Sequence, residues 1–221
     1  MSSLRVVVPF KLNNAKSRLS PLFSLEERRR LALTMLDDVV KSASRLGEVV
    51  ICTRDPLPQE SIIFSLPSKV VECDLELDSA LNEMIEYWQK KGWPTDFLII
   101  MADLPLVRPQ DLQELIQTPG DVVIVPGRGG GTNLILIRDP RFRVHYYGLS
   151  FLKHLQTARD MGLRVGVCES YRCGCDIDEP SDLVEILIHG QGQTPKLLKE
   201  LGLSLNGDKE KVRPNCLRDK R

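Results

Sequence analysis

Phe97-Leu-Ile-Ile-Met-Ala-Asp-Leu-Pro105 decides the fold. Six apolar residues run without alternation into an acid, and a turn-forming proline stands two places later. A strand with one wet face alternates apolar with polar. A run that is apolar on both sides is buried on both, as in a parallel sheet covered by helices. Asp103 then emerges at the carboxyl edge of the sheet, where open α/β sheets gather their ligands. Its carboxylate has two readings there, a turn residue that caps the next element or a metal ligand. Taken alone the stretch favours the turn; the rest of the chain reverses that preference.

Upstream, Leu4–Pro9, Glu48–Thr53 and Lys69–Cys73 read as three further strands. Ser24-Leu-Glu-Glu27 has the form of a capping box. The apolar residues from Leu31 to Ala43 keep helical spacing behind it, and Gly47 closes the helix. A second helix starts at Asp78 or Ser79 and sets Ala80, Leu81, Met84, Ile85 and Trp88 on one face. Downstream come a short helix at Pro109–Ile116 and strands at Asp121–Pro126, Leu134–Ile137 and Leu163–Cys168. Helices are expected at Ser150–Met161 and Pro180–His189. Strands alternating with helices predict an α/β sheet that is mostly parallel. Beyond Asp208 charge, proline and asparagine take over, which predicts a loose tail or an arm on a neighbour.

The chain has 221 residues, enough for one fairly large domain with a sizeable core. Thirty basic residues balance thirty acidic ones, which removes the electrostatic footprint of a nucleic-acid binder, so any anion site must be local. The apolar runs are too short to span a bilayer. Leu4–Phe10 is interrupted by Arg5 and has no cleavage site behind it, so the expected location is cytoplasmic. Six cysteines are scattered along the chain. Cys173-Gly-Cys175 has no second pair at zinc spacing, and reduced structural thiols are the expectation.

Four features carry chemistry. Lys11, Lys16 and Arg18 fall within eight positions after the first strand. Cations near a helix start oppose its dipole, and a bound anion would reverse that penalty; the other reading is a solvated loop. This loop has neither a dinucleotide glycine fingerprint nor a P-loop pattern. Asp176-Ile-Asp178 on a strand would turn both carboxylates to one face. With Asp103 they form a candidate three-carboxylate magnesium site; in isolation Asp-x-Asp also reads as a solvated turn. Gly129–Asn133 permits close approach of a ligand to backbone, with Thr132 and Asn133 at the rim, or is a flexible connector. Ser150 reads as the N-cap of its helix or as a phosphate ligand. His145, His154 and His189 show no nucleophile or metal spacing, and His154 reads as surface or core filling.

In this order, Pro9-Phe-Lys11, Lys16-Ser-Arg18-Leu19, Ala102-Asp-Leu-Pro105, Gly130-Gly-Thr-Asn133, Ser150-Phe151 and Asp176-Ile-Asp178 match a family. The series, from the first strand to about Leu187, resembles the CofC-like 2-phospho-L-lactate guanylyltransferases of the nucleotide-diphospho-sugar transferase superfamily. The resemblance implies a three-layer α/β/α fold (GT-A-like) with a mixed, mainly parallel central sheet. It implies a nucleotidyltransferase domain over residues 1–190, with 191–221 as a C-terminal extension or arm. The implied reaction transfers GMP from GTP to 2-phospho-L-lactate, giving lactyl-diphospho-guanosine and pyrophosphate, in the biosynthesis of the deazaflavin coenzyme of methanogens. Asp103, Asp176 and Asp178 would hold two magnesium ions, and Lys16, Arg18 and Asp103 would be catalytic. GTP would meet Pro9, Lys11, Lys16, Arg18, Asp78 and Asn82. The acceptor would meet Gly130, Gly131, Thr132, Asn133 and Ser150. Relatives imply a homodimer. Tyr146-Tyr-Gly-Leu-Ser150 is poorer in glycine than in many relatives, which touches the backbone contacts to the acceptor. Phosphoenolpyruvate or another small phosphorylated acid remains an alternative acceptor. A molybdopterin guanylyltransferase is disfavoured because its glycine-rich first loop is missing. A non-catalytic nucleotide-binding regulator would not need all three acids.

Overall fold

The computed structural model of the chain describes residues 4–58, 66, 68–91, 96–208 and 211–216. Seven strands make one sheet: β1 (Arg5–Phe10), β2 (Val49–Thr53), β3 (Ser68–Glu72), β4 (Phe97–Ile100), β5 (Val122–Pro126), β6 (Thr132–Ile137) and β7 (Val165–Val167). Their spatial order is β3-β2-β1-β4-β6-β5-β7. Neighbours are parallel except where β6 lies between β4 and β5, antiparallel to both. Among the described residues six α-helices accompany them: α1 (Leu25–Ala43), α2 (Leu77–Lys90), α3 (Pro109–Gln117), α4 (Ser150–Asp160), α5 (Leu183–His189) and α6 (Thr194–Glu200).

The deciding stretch behaves as its composition demands. Leu98 and Ile100 face a core layer shared with Leu36 and Val40 of α1 and Leu112 of α3. Phe97 and Ile99 face the opposite layer, with Leu81 and Ile85 of α2 and Ala158 of α4. All four are at most 2% exposed, and each contributes roughly 2 kcal/mol by leaving water. Helices therefore cover both faces, giving three α/β/α layers. The regular strand stops at Ile100, two residues before the apolar run ends.

Local signals set several boundaries. The Ser24 hydroxyl accepts from the Glu27 amide, and the Glu27 carboxylate accepts from the Ser24 amide, which closes the capping box that starts α1. That helix ends at Ala43, one turn before Gly47. A third apolar cluster joins Leu31 and Met35 of α1 to Leu183, Ile186, Leu197, Leu198, Leu201 and Leu203. The stretch 194–203 is thus packed into the core. Further on, β8 (Leu203–Asp208) and β9 (Lys211–Cys216) pair antiparallel. Backbone pairing supplies there the order that a charged, proline-bearing sequence does not advertise. Five cysteines are free thiols, and the Cys216 side chain lies outside the described set. Among the described residues no helix is long and apolar enough to cross a membrane.

Strand direction positions the site. The carboxyl ends of β1, β2 and β4 share one edge. Because β6 runs the other way, it brings its amino end, Thr132 and Asn133, to that same edge. The Met101 amide donates to the Asn133 carbonyl at 3.0 Å and joins the two strands just before Asp103.

Candidate active site

The loop after β1 places Lys16. Asp55, 8% exposed, accepts from the amides of Leu12 (2.8 Å) and Asn13 (2.9 Å) and from the Asn13 side-chain amide. The buried Arg28 guanidinium donates to the Ala15 carbonyl at 3.1 Å. Held from both sides, the backbone enters the left-handed region at Lys16 (φ 51°), a conformation that costs a non-glycine residue roughly 1–2 kcal/mol. The return is a directed ammonium: Lys16 Nζ donates to Asp103 Oδ2 at 2.7 Å and to Asp178 Oδ1 at 2.9 Å. Asp55 and Arg28 were not singled out by motif, because their partners are backbone groups of a distant loop.

Asp176–Asp178 is not part of a strand. The Ile177 amide donates to the Asp103 carbonyl at 3.1 Å and lays the segment beside Asp103. Ile177 is fully buried, anchoring the two acids that flank it. Asn133 Nδ2 donates to Asp176 Oδ1 at 3.3 Å and to the Cys173 carbonyl at 3.0 Å. Lys16, Asp103, Asn133, Asp176 and Asp178 thus form one network.

Its electrostatics favour a cation. Burial would strip the proton from Lys16, but the charges of Asp103 and Asp178 outweigh it and hold the amine above its ordinary pKa. Burial raises the Asp176 pKa, and the like charges of Asp103 and Asp178 add to that rise. Among the described residues no three acids surround one point closely enough to cage a metal. The ammonium of Lys16 stands between two of the acids, Asp103 and Asp178. The donors are carboxylate oxygens, the hard ligands magnesium prefers, and the ammonium already marks a place for positive charge. The residues therefore fit the ion.

A cleft adjoins this network, and a second cleft shares part of its lining. One, of about 300 Å³, is lined by Pro9, Lys11, Lys16, Met101, Ala102 and Asp103. The other, of about 240 Å³, shares Pro9, Phe10, Lys11 and Met101 with the first and extends over Thr53, Arg54, Cys73 and Leu75. Arg18 is 66% exposed and lies 3.6 Å from Asp178. Asp78 and Asn82 line neither cleft. Asn82 exchanges two hydrogen bonds with the Val144 backbone (3.1 and 2.9 Å), and Asp78 accepts from the Tyr146 amide at 2.8 Å. Both side chains clamp the 144–146 segment.

A second group sits across the same edge. A Cβ on Gly129 or Gly131 would meet nothing within 4 Å, so both face open space. Gly130 has φ +86°, and a Cβ there would come within 2.8 Å of Leu149. Thr132 and Asn133 are not at the loop rim as expected; they open β6 and are 3% and 5% exposed. Ser150 is not the N-cap: Leu149 holds that position without a side-chain bond, and Ser150 is the first helical residue, 2% exposed.

His154 does more than fill space. It is fully buried, its Nε2 lies 2.8 Å from the His145 amide, and its Nδ1 lies 2.9 Å from Thr132 Oγ1. Burial, then the neighbouring His145, pushes its pKa down to about 4. The unfolded chain takes up a proton near the ordinary histidine value, and the folded protein refuses it. Between about pH 6.5 and pH 4 the unfolded state holds more protons, so stability falls as pH is lowered, by about 3 kcal/mol in all. Denaturant unfolding across that window shows the decline in the wild type, and His154→Gln removes this share of it.

Comparison with known proteins extends these observations. Residues 4–215 match the family model described as "Guanylyl transferase CofC like". A 2-phospho-L-lactate guanylyltransferase of Methanothrix thermoacetophila is 51% identical over 199 residues, 90% of each chain. One from Archaeoglobus fulgidus is 38% identical over 92% of this chain and 93% of its own. Among solved structures, a chain assigned as a nucleotide-diphospho-sugar transferase from Desulfovibrio desulfuricans superposes with TM-score 0.69 at 18% identity, over 90% of this chain and 95% of its own. A nucleotidyl transferase from Methanothermobacter gives 0.57 at 18% identity, over 85% and 97%. At such identities these two speak for the fold alone.

Proposed function

Because the chain belongs to the CofC-like guanylyl transferase family, we propose that it transfers GMP from GTP to 2-phospho-L-lactate, giving lactyl-diphospho-guanosine and pyrophosphate. The observation that carries this reading is the Lys16 ammonium set between Asp103 and Asp178 at the edge of the cleft. A site that holds carboxylates and a cation together is suited to gathering phosphates.

The acceptor is a phosphate monoester whose second pKa is about 6, so at neutral pH it is already an anionic nucleophile. One of its oxygens attacks the α-phosphorus of GTP, the bond from that phosphorus to the β-phosphate oxygen breaks, and pyrophosphate leaves. No residue has to remove a proton. The obstacle is repulsion, since each pair of unit charges about 4 Å apart costs roughly 4 kcal/mol at an effective dielectric near 20. Lys11, Lys16 and Arg18 supply cations on the triphosphate side. Asp103, Asp176 and Asp178 would hold magnesium, which would supply positive charge against that repulsion. The guanosine would occupy the cleft over Thr53 and Leu75.

The acceptor phosphate would lie over Gly130, Gly131 and the first turn of α4, within reach of Thr132, Asn133 and Ser150. Ser150→Ala is expected to raise the acceptor KM about tenfold or more, the worth of one hydrogen bond to a charged group, and to leave the GTP KM unchanged. Equal effects on both constants would remove Ser150 from the acceptor side. A homodimer, a cytoplasmic location and a place in deazaflavin coenzyme synthesis belong to the same reading. Mass analysis of the product made from GTP and 2-phospholactate tests it. Lactyl-diphospho-guanosine is expected, and recovery of guanosine diphosphate alone would contradict it.

A further inference from the structure

His154 and Thr132 form a buried pair whose proton positions can be worked out. The His145 amide can only donate, so His154 Nε2, 2.8 Å away, must accept and carries no hydrogen. A fully buried imidazole with a lowered pKa is neutral, so its single N–H lies on Nδ1. Nδ1 therefore donates across 2.9 Å to Thr132 Oγ1. The hydroxyl cannot return its own hydrogen to the ring. The rings of Phe142 and Tyr146, with centroids 6.0 and 5.2 Å from that of His154, wall in the imidazole. Ser150 stands one helical turn before His154, on the same face of α4.

We infer that His154 is a positioning residue for the acceptor: it fixes the Thr132 hydroxyl as a hydrogen-bond donor aimed at a ligand that can only accept. A fully ionised phosphate oxygen is such a ligand, and a hydroxyl-bearing nucleophile is not. The inference rests on the proposed function in one respect, that the ligand beside Thr132 is the acceptor phosphate. The same helix thus brings Ser150 to the ligand directly and controls Thr132 through His154.

The tests separate the two ideas. Nitrogen NMR of the ligand-free protein with 15N-labelled histidine is expected to show His154 protonated on Nδ1 and bare on Nε2. Hydrogen on Nε2 overturns the inference whatever the substrate is. The second test is a double-mutant cycle on the acceptor KM, with Thr132→Val, which keeps the shape and removes the hydroxyl, and His154→Leu, which carries no donor to it. Each is expected to raise the acceptor KM about tenfold with an unchanged GTP KM, and the double variant no further, because both remove the same interaction. Thr132→Ser, which keeps a hydroxyl, is expected to restore most of the loss. Additive effects, or equal rises in both constants in soluble variants with native circular dichroism, overturn the inference. If 2-phospholactate is not a substrate at all while the NMR is as expected, the proposed acceptor fails. The cycle is then read on the binding of inorganic phosphate, where additivity again overturns the inference.

Discussion

Asp103→Asn lowers kcat by at least about a thousandfold, close to 4 kcal/mol of transition-state stabilisation, and leaves the fold in place. The substitution keeps the shape of the side chain and removes its charge. The neighbouring segment is held by the Asp103 main-chain carbonyl, which accepts from the Ile177 amide and is untouched. Lys16 retains Asp178 as a partner at 2.9 Å, so the ammonium is not stranded. The loss falls on what the carboxylate does when two polyanions meet: it holds cationic charge at the carboxyl edge of β4. Steady-state kinetics beside far-UV circular dichroism measures both halves of the prediction. A variant that keeps most of its turnover removes Asp103 from the chemistry.

Lys16→Met is expected to lower kcat by about a hundredfold, and it has a second signature. In the wild type the ammonium bridges Asp103 and Asp178, so a magnesium ion entering the cluster competes with it. Without that ammonium the carboxylates face each other uncompensated. Magnesium should then raise the Tm of Lys16→Met by more than it raises that of the wild type, because bound ion stabilises the folded state by mass action. Thermal unfolding with and without magnesium checks this. A larger shift in the wild type would mean that Lys16 and the ion do not share the site.

The layers of the fold were legible because burial leaves a direct trace. Phe97–Ile100 cannot have a wet face, and the spacing of Leu31, Met35 and Leu36 cannot suit a strand. Strand direction leaves no such trace, since Leu134–Ile137 reads the same run either way. The reversal of β6 is what carries Thr132 and Asn133 to the site, and only pairing with β4 and β5 reveals it. The packing of Leu197, Leu198 and Leu201 against α1 leaves little trace in the sequence, because they make too short a helical pattern to stand out.

The site divides on the same line. Asp103, Asp176 and Asp178 were visible as acids at element ends, and Lys16 as a cation after a strand. Their joint arrangement depends on a left-handed Lys16 and on Asp55 gripping amides 42 and 43 positions away, neither of which has a sequence signature. Asp78 and Asn82 bond to the backbone of Val144 and Tyr146, contacts that have no sequence signature. His154 carried no motif, because its role is set by a backbone amide on one nitrogen and a hydroxyl on the other.

The measurement that tests the account most directly is pyrophosphate release in the presence of magnesium. Each of the four nucleoside triphosphates is offered with 2-phospholactate, phosphoenolpyruvate and 3-phosphoglycerate in turn. Release with GTP and 2-phospholactate, and with no other pairing at comparable rate, is the predicted result. No release with any pair, while GTP still binds in the presence of magnesium, would contradict catalysis and leave a nucleotide-binding regulator.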